Sequence, residues 1–169
     1  MKITSVRKAL QTVQSGQPVD AFEAAKWLIS IRNRIRGDSL AEIASNKGWK
    51  PINRVAAIYV IGFLGKNGRE TVPTLISILN DQHENTKVRS EAAEALGYIR
   101  DQKAIQVLEK IILSSAEPQQ IRIQCIFALP RIGGSKALAI LKEVERTRPT
   151  GKIAKQLKEA LSDISRGII

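Results

Sequence analysis

The fold is decided by Arg89 to Arg100, RSEAAEALGYIR, because the chain carries this stretch in three copies. Arg54 to Gly65 (RVAAIYVIGFLG) aligns with it without gaps 35 residues upstream, and Arg122 to Gly133 (RIQCIFALPRIG) does so 33 residues downstream. In that alignment Arg54, Arg89 and Arg122 coincide, as do Ala57, Ala92 and Cys125, then Gly62, Gly97 and Pro130, then Leu64, Ile99 and Ile132. A period in this range is the mark of a stacked repeat.

A second apolar stretch follows each copy. Val72, Leu75 and Leu79 recur at helical spacing, then Ile105, Leu108 and Ile112, then Leu138, Leu141 and Val144. Steps of three and four predict an amphipathic helix, so the unit reads as helix, short turn, helix. Small residues at the Ala57, Ala92 and Cys125 register let neighbouring helices approach. Gly65 and Gly133 fall where a helix must stop, and Pro73 suits a first helical turn. Pro130, inside a helical run, is expected to kink that helix or end it early. Fainter copies flank the clear ones: Ala21 to Ile31 with Ser39 to Ala44, and Ile153 to Ile164. Degenerate end units are expected where one face meets water, and Val6, Leu10 and Val13 mark a further capping helix.

The run Leu79-Asn80-Asp81, followed by Val88-Arg89-Ser90-Glu91-Ala92-Ala93-Glu94-Ala95-Leu96-Gly97-Tyr98-Ile99, resembles the HEAT repeat, in the short bacterial form also found in phycobilin lyases. The resemblance is strong over residues 54–144. It departs at Pro130, and the units before Arg54 and Arg122 lack the aspartate. It implies an all-α right-handed solenoid of four to five helix pairs over residues 1–169, with caps at 1–50 and 149–169 around clear repeats at 51–148. It also implies that the second helices line the concave face, where Ser77, Gln106, Lys110, Glu143 and Arg146 form a mixed row. Some proteins built from such repeats bind nucleic acid.

Composition bounds the chemistry. The chain has 169 residues, 43% hydrophobic and 25% charged, with 4% aromatic, so its core must be aliphatic. One cysteine, Cys125, excludes an internal disulfide framework and fits a reducing compartment. The start MKITSVRKALQTVQSG has no apolar signal core, and VAAIYVIGFLG is about half a membrane span. A cytoplasmic location is expected.

The net charge of +11 is uneven. Residues 1–60 and 121–169 each carry +6, while residues 61–120 carry −1. Arg32, Arg34 and Arg36, with Lys47, Trp49 and Lys50, form one basic cluster; a second runs from Lys142 to Lys158. Three readings stay open: solvated caps, an acidic protein partner, or a nucleic-acid surface. The neutral centre and scarce aromatics count against a continuous phosphate groove.

Candidates for catalysis are few. His83 sits in the polar run 81–85 with no second imidazole or thiolate to close a metal site. Glu91 and Glu94 share a helix face at a spacing of three, yet read as a solvated face. Cys125 reads as a buried thiol, and Gly133-Gly134-Ser135-Lys136 lacks the spacing of a phosphate loop. Arg54, Arg89 and Arg122 read as a structural ladder bonding helix-end carbonyls or an acid, with Asp81 expected for Arg89. Trp27 reads as core, and Trp49 as core or contact surface. The leading expectation is a non-enzymatic scaffold holding a protein partner on the concave row. A nucleic-acid module using the first basic cluster is second, and a chromophore-lyase-like protein, implied by resemblance alone, is third. No catalytic residue, cofactor or metal is assigned, and the oligomeric state stays open.

Overall fold

The structure is a computed structural model and describes residues 5–167. Ten α-helices follow one another with no strand among the described residues. They are α1 (Val6–Ser15), α2 (Pro18–Ser30), α3 (Asp38–Ser45), α4 (Pro51–Leu64), α5 (Val72–Asn80), α6 (Thr86–Ile99), α7 (Ile105–Leu113), α8 (Gln119–Ile132), α9 (Gly134–Arg146) and α10 (Gly151–Ser165). Local chemistry fixes the ends. Asn85 Oδ1 accepts from the Lys87 amide at 2.9 Å to cap α6, and Pro51 and Pro73 sit in first turns. Helices α4 and α8 stop at Gly65 and Gly133, whose φ values of 55° and 75° disfavour any side chain. Pro130 does not end α8 early: the helix runs on to Ile132, because only the last turn lies beyond it.

The helices form two layers. The long helices α2, α4, α6, α8 and α10 pack side by side, and the shorter α1, α3, α5 and α7, with α9, lie behind them. The tightest cross-layer pairs are α1 with α2, α3 with α4, α5 with α6 and α7 with α8. The structural unit therefore begins one helix earlier than the sequence alignment suggests. The arginine-bearing helix closes a unit instead of opening it. With α9 and α10 the array holds five pairs, an all-α solenoid. Val72, Leu75, Leu79, Ile105, Leu108 and Ile112 are buried as expected. On α9 the buried register is Ala137, Ile140, Leu141 and Val144, leaving Leu138 half-buried.

The arginine ladder ties the layers together. Arg54 Nε donates to the Ala44 carbonyl at 2.8 Å, Arg89 Nε to Leu79 at 2.8 Å, and Arg122 Nε to Ile112 at 2.9 Å. Each therefore satisfies a carbonyl at the end of the preceding short-layer helix, which would otherwise lack a partner. The acid is not the expected one. Arg54 grips Glu84 through two bonds of 2.8 and 2.6 Å, and Arg89 meets Glu117 at 2.7 Å. These glutamates come from the α5–α6 and α7–α8 connections, just before the next long helix along the chain. Asp81 instead pairs with Lys47 at 2.6 Å and accepts from the His83 amide. Burial pushes the Glu84 carboxyl up, but the bonds from Arg54 and the Asn85 amide outweigh it and hold the group below its ordinary range.

The two layers differ in spacing. A Cβ added at Gly97 would lie 2.9 Å from Ala128 Cα, and one at Gly62 would lie 3.3 Å from Ala95 Cα. Helices α4, α6 and α8 thus nearly touch backbone to backbone. The short helices stand apart, leaving grooves of about 390 Å³ between α3 and α5 and about 440 Å³ between α5 and α7. The long helices are the more closely packed layer, called here the inner one, and the short helices the outer one.

Candidate functional site on the inner face

Glu91, Glu94 and Tyr98 stand three and seven residues apart on α6, so they form one stripe along a single helix face. The same register on α4 carries Tyr59 and Phe63, and on α8 Phe127 and Arg131. Across these helices the rings make a continuous ladder. Phe22 of α2 meets the edge of Tyr59 at 6.3 Å, Tyr59 meets Phe63 at 4.9 Å, and Phe63 stacks on Tyr98 at 5.9 Å. Arg131 then lies over Tyr98 at 5.1 Å and over Phe127 at 5.8 Å, with one guanidinium N–H donated to the Phe127 carbonyl at 2.8 Å. Phe63 and Tyr98 stay 39% and 40% exposed. These are large rings in an aliphatic protein, left partly open on the tightly packed layer.

The carboxylates behave unlike solvated ones. Glu91 and Glu94 are both half-buried. Burial, reinforced by the negative charge of Glu94, pushes the Glu91 carboxyl up to about 7. The solvated-face expectation for this pair is thereby corrected: both are half-buried on a helix that α4 and α8 approach closely, at Gly62–Ala95 and Gly97–Ala128. A carboxyl titrating near neutrality can take or give a proton, which an ordinary surface glutamate at the same pH does poorly.

The other expected site residues are dispersed. Ser77, Gln106, Lys110, Glu143 and Arg146 are exposed, and they lie on α5, α7 and α9 of the short-helix layer. Helical phase gave their exposure correctly. Ser77 borders the α3–α5 groove, while Gln106 and Lys110 border the α5–α7 groove, where Lys110 Nζ donates to Asn80 at 3.3 Å.

The first basic cluster is split between opposite edges of the array. Arg32, Arg34 and Arg36 belong to the connection between α2 and α3, where the Gly37 amide donates to Glu70 at 3.0 Å and Arg36 pairs with Asp38. Lys47, Trp49 and Lys50 belong to the connection between α3 and α4, at the other end of α3, and Lys47 is taken up by Asp81. Chain proximity had suggested a single patch; an intervening helix separates the two halves. Trp49 is half-buried there, and Trp27 packs against the core. His83 is exposed, and burial holds the Cys125 thiol well above the usual thiol range. No group of three or more His, Cys, Asp or Glu among the described residues is placed to hold a metal ion.

Comparison with known proteins fits this architecture. The family model of HEAT repeats matches residues 37–129 and 83–162. Deoxyhypusine hydroxylase of Arabidopsis thaliana is 35% identical over 121 residues, covering 71% of this chain and 37% of the relative. Deoxyhypusine hydroxylase of Neurospora crassa is 28% identical over 136 residues, covering 77% of this chain and 41% of the relative. The chain thus spans about two-fifths of the length of these curated relatives. Among solved structures, the complex of CpcE and CpcF of phycocyanin lyase from Nostoc sp. PCC7120 matches with a TM-score of 0.71 at 21% identity, over 98% of this chain and 67% of that one. Human deoxyhypusine hydroxylase matches with a TM-score of 0.65 at 16% identity, over 92% and 72%. The structural likenesses speak to fold. The curated relatives correct the expectation of a non-enzymatic scaffold, since the name they carry is that of an enzyme. Nothing in the comparisons supports the nucleic-acid reading.

Proposed function

The chain belongs to the HEAT-repeat family and its curated relatives are enzymes, and we propose that it is the substrate-holding repeat domain of an enzyme. The substrate lies across the inner face of α4, α6 and α8, with Glu91 as the proton-transfer residue. The observation that carries this is the half-buried Glu91–Glu94 stripe running into the open Phe63–Tyr98 ring pair. The rings bind an apolar or planar part of the substrate, Arg131 offers positive charge beyond them, and Glu91 is positioned to exchange a proton with whatever is held there.

A hydroxylase installs oxygen, and non-haem iron sites used for that take two histidines and a carboxylate. This chain has a single histidine, His83, exposed in the loop between α5 and α6. Its residues do not fit such a centre, so no oxygen-transfer step is assigned to them. This reading includes a protein partner for the repeat domain. Phycocyanin lyase is likewise named as a complex of CpcE and CpcF. No helix among the described residues is long and apolar enough to cross a membrane, and the lone buried cysteine supports a cytoplasmic setting. Residues 1–169 act as one repeat domain in this reading.

Incubating the protein with a small-molecule extract of its native cells, and following compounds by mass spectrometry, tests the reading. Wild type should consume at least one compound that Glu91→Gln leaves untouched, with Glu91→Asp partly active. Identical profiles for wild type and Glu91→Gln would overturn it.

A further inference from the structure

The inner face has a second feature, at the end where its helices begin. A groove of about 740 Å³ runs along this rim, within the range of small-ligand sites. Its walls are Pro51, Ile52 and Val55 of α4, with Thr86 and Lys87 of α6 and Lys50 ahead of α4; Asn85 and Gln120 complete it. No acidic side chain lines it. Among the described residues neither Lys50 nor Lys87 takes part in an ion pair, although both are exposed and free to point at a ligand. The other grooves differ. Between α3 and α5 the lysine, arginine and both acids already neutralise one another as Lys47–Asp81 and Arg54–Glu84. Between α5 and α7, Lys110 is engaged with Asn80.

An apolar trough with two unpaired cations at its rim matches one ligand chemistry. We propose that this groove binds a small amphipathic carboxylate, its hydrocarbon or ring portion against Pro51, Ile52 and Val55 and its carboxylate between Lys50 and Lys87. A neutral apolar ligand would leave both lysines without a counter-charge, and a cation would be repelled by them. Ile52, Lys87 and Gln120 share one repeat register, so the groove crosses three successive inner helices. Lys87 also stands one turn before Glu91 on α6, about 6 Å along the axis. A ligand anchored here therefore extends toward the carboxylate stripe. That last link rests on the proposed function, whereas the groove's affinity does not.

The test is a fluorescence titration of the full chain with 11-(dansylamino)undecanoate, against its methyl ester and against dodecylammonium as competitor. Saturable one-to-one binding in the micromolar range is expected, at least tenfold tighter than the ester, weakening as salt rises, and not displaced by the ammonium. The Lys50→Ala, Lys87→Ala double variant should lose at least tenfold in affinity while keeping its helical circular dichroism and melting temperature. Ile52→Trp, which fills the trough, should lose binding altogether. No binding, equal affinity for the ester, or an unaltered double variant would each overturn the assignment. These readouts are of binding and not of turnover. Failure here leaves the Glu91 reading standing, and inactive Glu91 chemistry leaves the groove standing.

Discussion

The inner and outer layers are built from the same repeat and do opposite things. On the inner layer glycine and alanine bring α4, α6 and α8 into near backbone contact, and that closeness strips water from Glu91 and stacks Phe63 on Tyr98. On the outer layer the helices are shorter, and in the groove between α3 and α5 the charges are matched as Lys47–Asp81 and Arg54–Glu84. The difference teaches that the direction in which a carboxyl is perturbed follows its surroundings rather than exposure alone. Both layers carry shifted carboxyls, but in opposite senses: ion pairing holds Glu84 and Asp81 down beside the short helices, while burial pushes Glu91 up on the tight layer.

What keeps the layers in register is the arginine ladder, so breaking it has the largest expected effect. Arg89 is buried, satisfies the Leu79 carbonyl and neutralises Glu117, which is itself 7% exposed. Arg89→Ala leaves a buried, unpaired carboxylate and a bare carbonyl, and should cost about 3–5 kcal/mol. Arg122 makes the same carbonyl bond with no acidic partner among the described residues, and it is only half-buried. Arg122→Ala should cost about 1 kcal/mol. Urea unfolding of the two variants side by side measures the gap. Equal losses would show that the carbonyl bond, and not the buried ion pair, joins the layers.

The ladder also shows how far the sequence could be read. The recurrence of Arg54, Arg89 and Arg122 made a structural role legible, because a repeat places equivalent residues in equivalent surroundings. Its acidic partners were not legible. Glu84 and Glu117 lie 30 and 28 residues beyond their arginines, across a whole unit, whereas Asp81 lay temptingly close in the chain. The phase of the unit was hidden for a related reason. Alignment finds the period of a repeat but not which helix packs on which, so the unit was started one helix too late. The aromatic ladder escaped notice because Tyr59, Phe63, Tyr98 and Phe127 come from three helices, and no one of them holds a motif. The Glu91–Glu94 pair was visible as a spacing; its burial was not, since that depends on how closely α4 and α8 approach.

Glu91 sharpens the comparison in a second way, through pH. Its carboxyl titrates at about 7 in the fold against an ordinary 4.5. A raised value means that the folded state binds the proton more tightly than the unfolded chain. The stability linked to this group is therefore complete below about pH 4.5 and is lost as pH climbs through 7. Glu91→Gln cannot ionise and should escape that loss. It should be more stable than wild type at pH 8 by about 2 kcal/mol, with the advantage gone at pH 4.5. Chemical unfolding at the two pH values checks it, and a pH-independent difference would return Glu91 to the status of a solvated residue.

The smallest effect is expected on the outer layer, and its smallness is the informative part. Gln106 and Lys110 are exposed on α7, and Lys110 holds only a 3.3 Å contact to Asn80. Replacing both with alanine removes no buried group and opens no cavity, so unfolding should shift by no more than about 0.5 kcal/mol. Substrate consumption should also match wild type, because these side chains lie behind the inner face and Glu91 does not depend on them. If instead the double variant lost turnover while keeping its stability, the outer groove would be where the substrate or partner docks. The contrast between the layers would then have to be redrawn with the short-helix side as the working one.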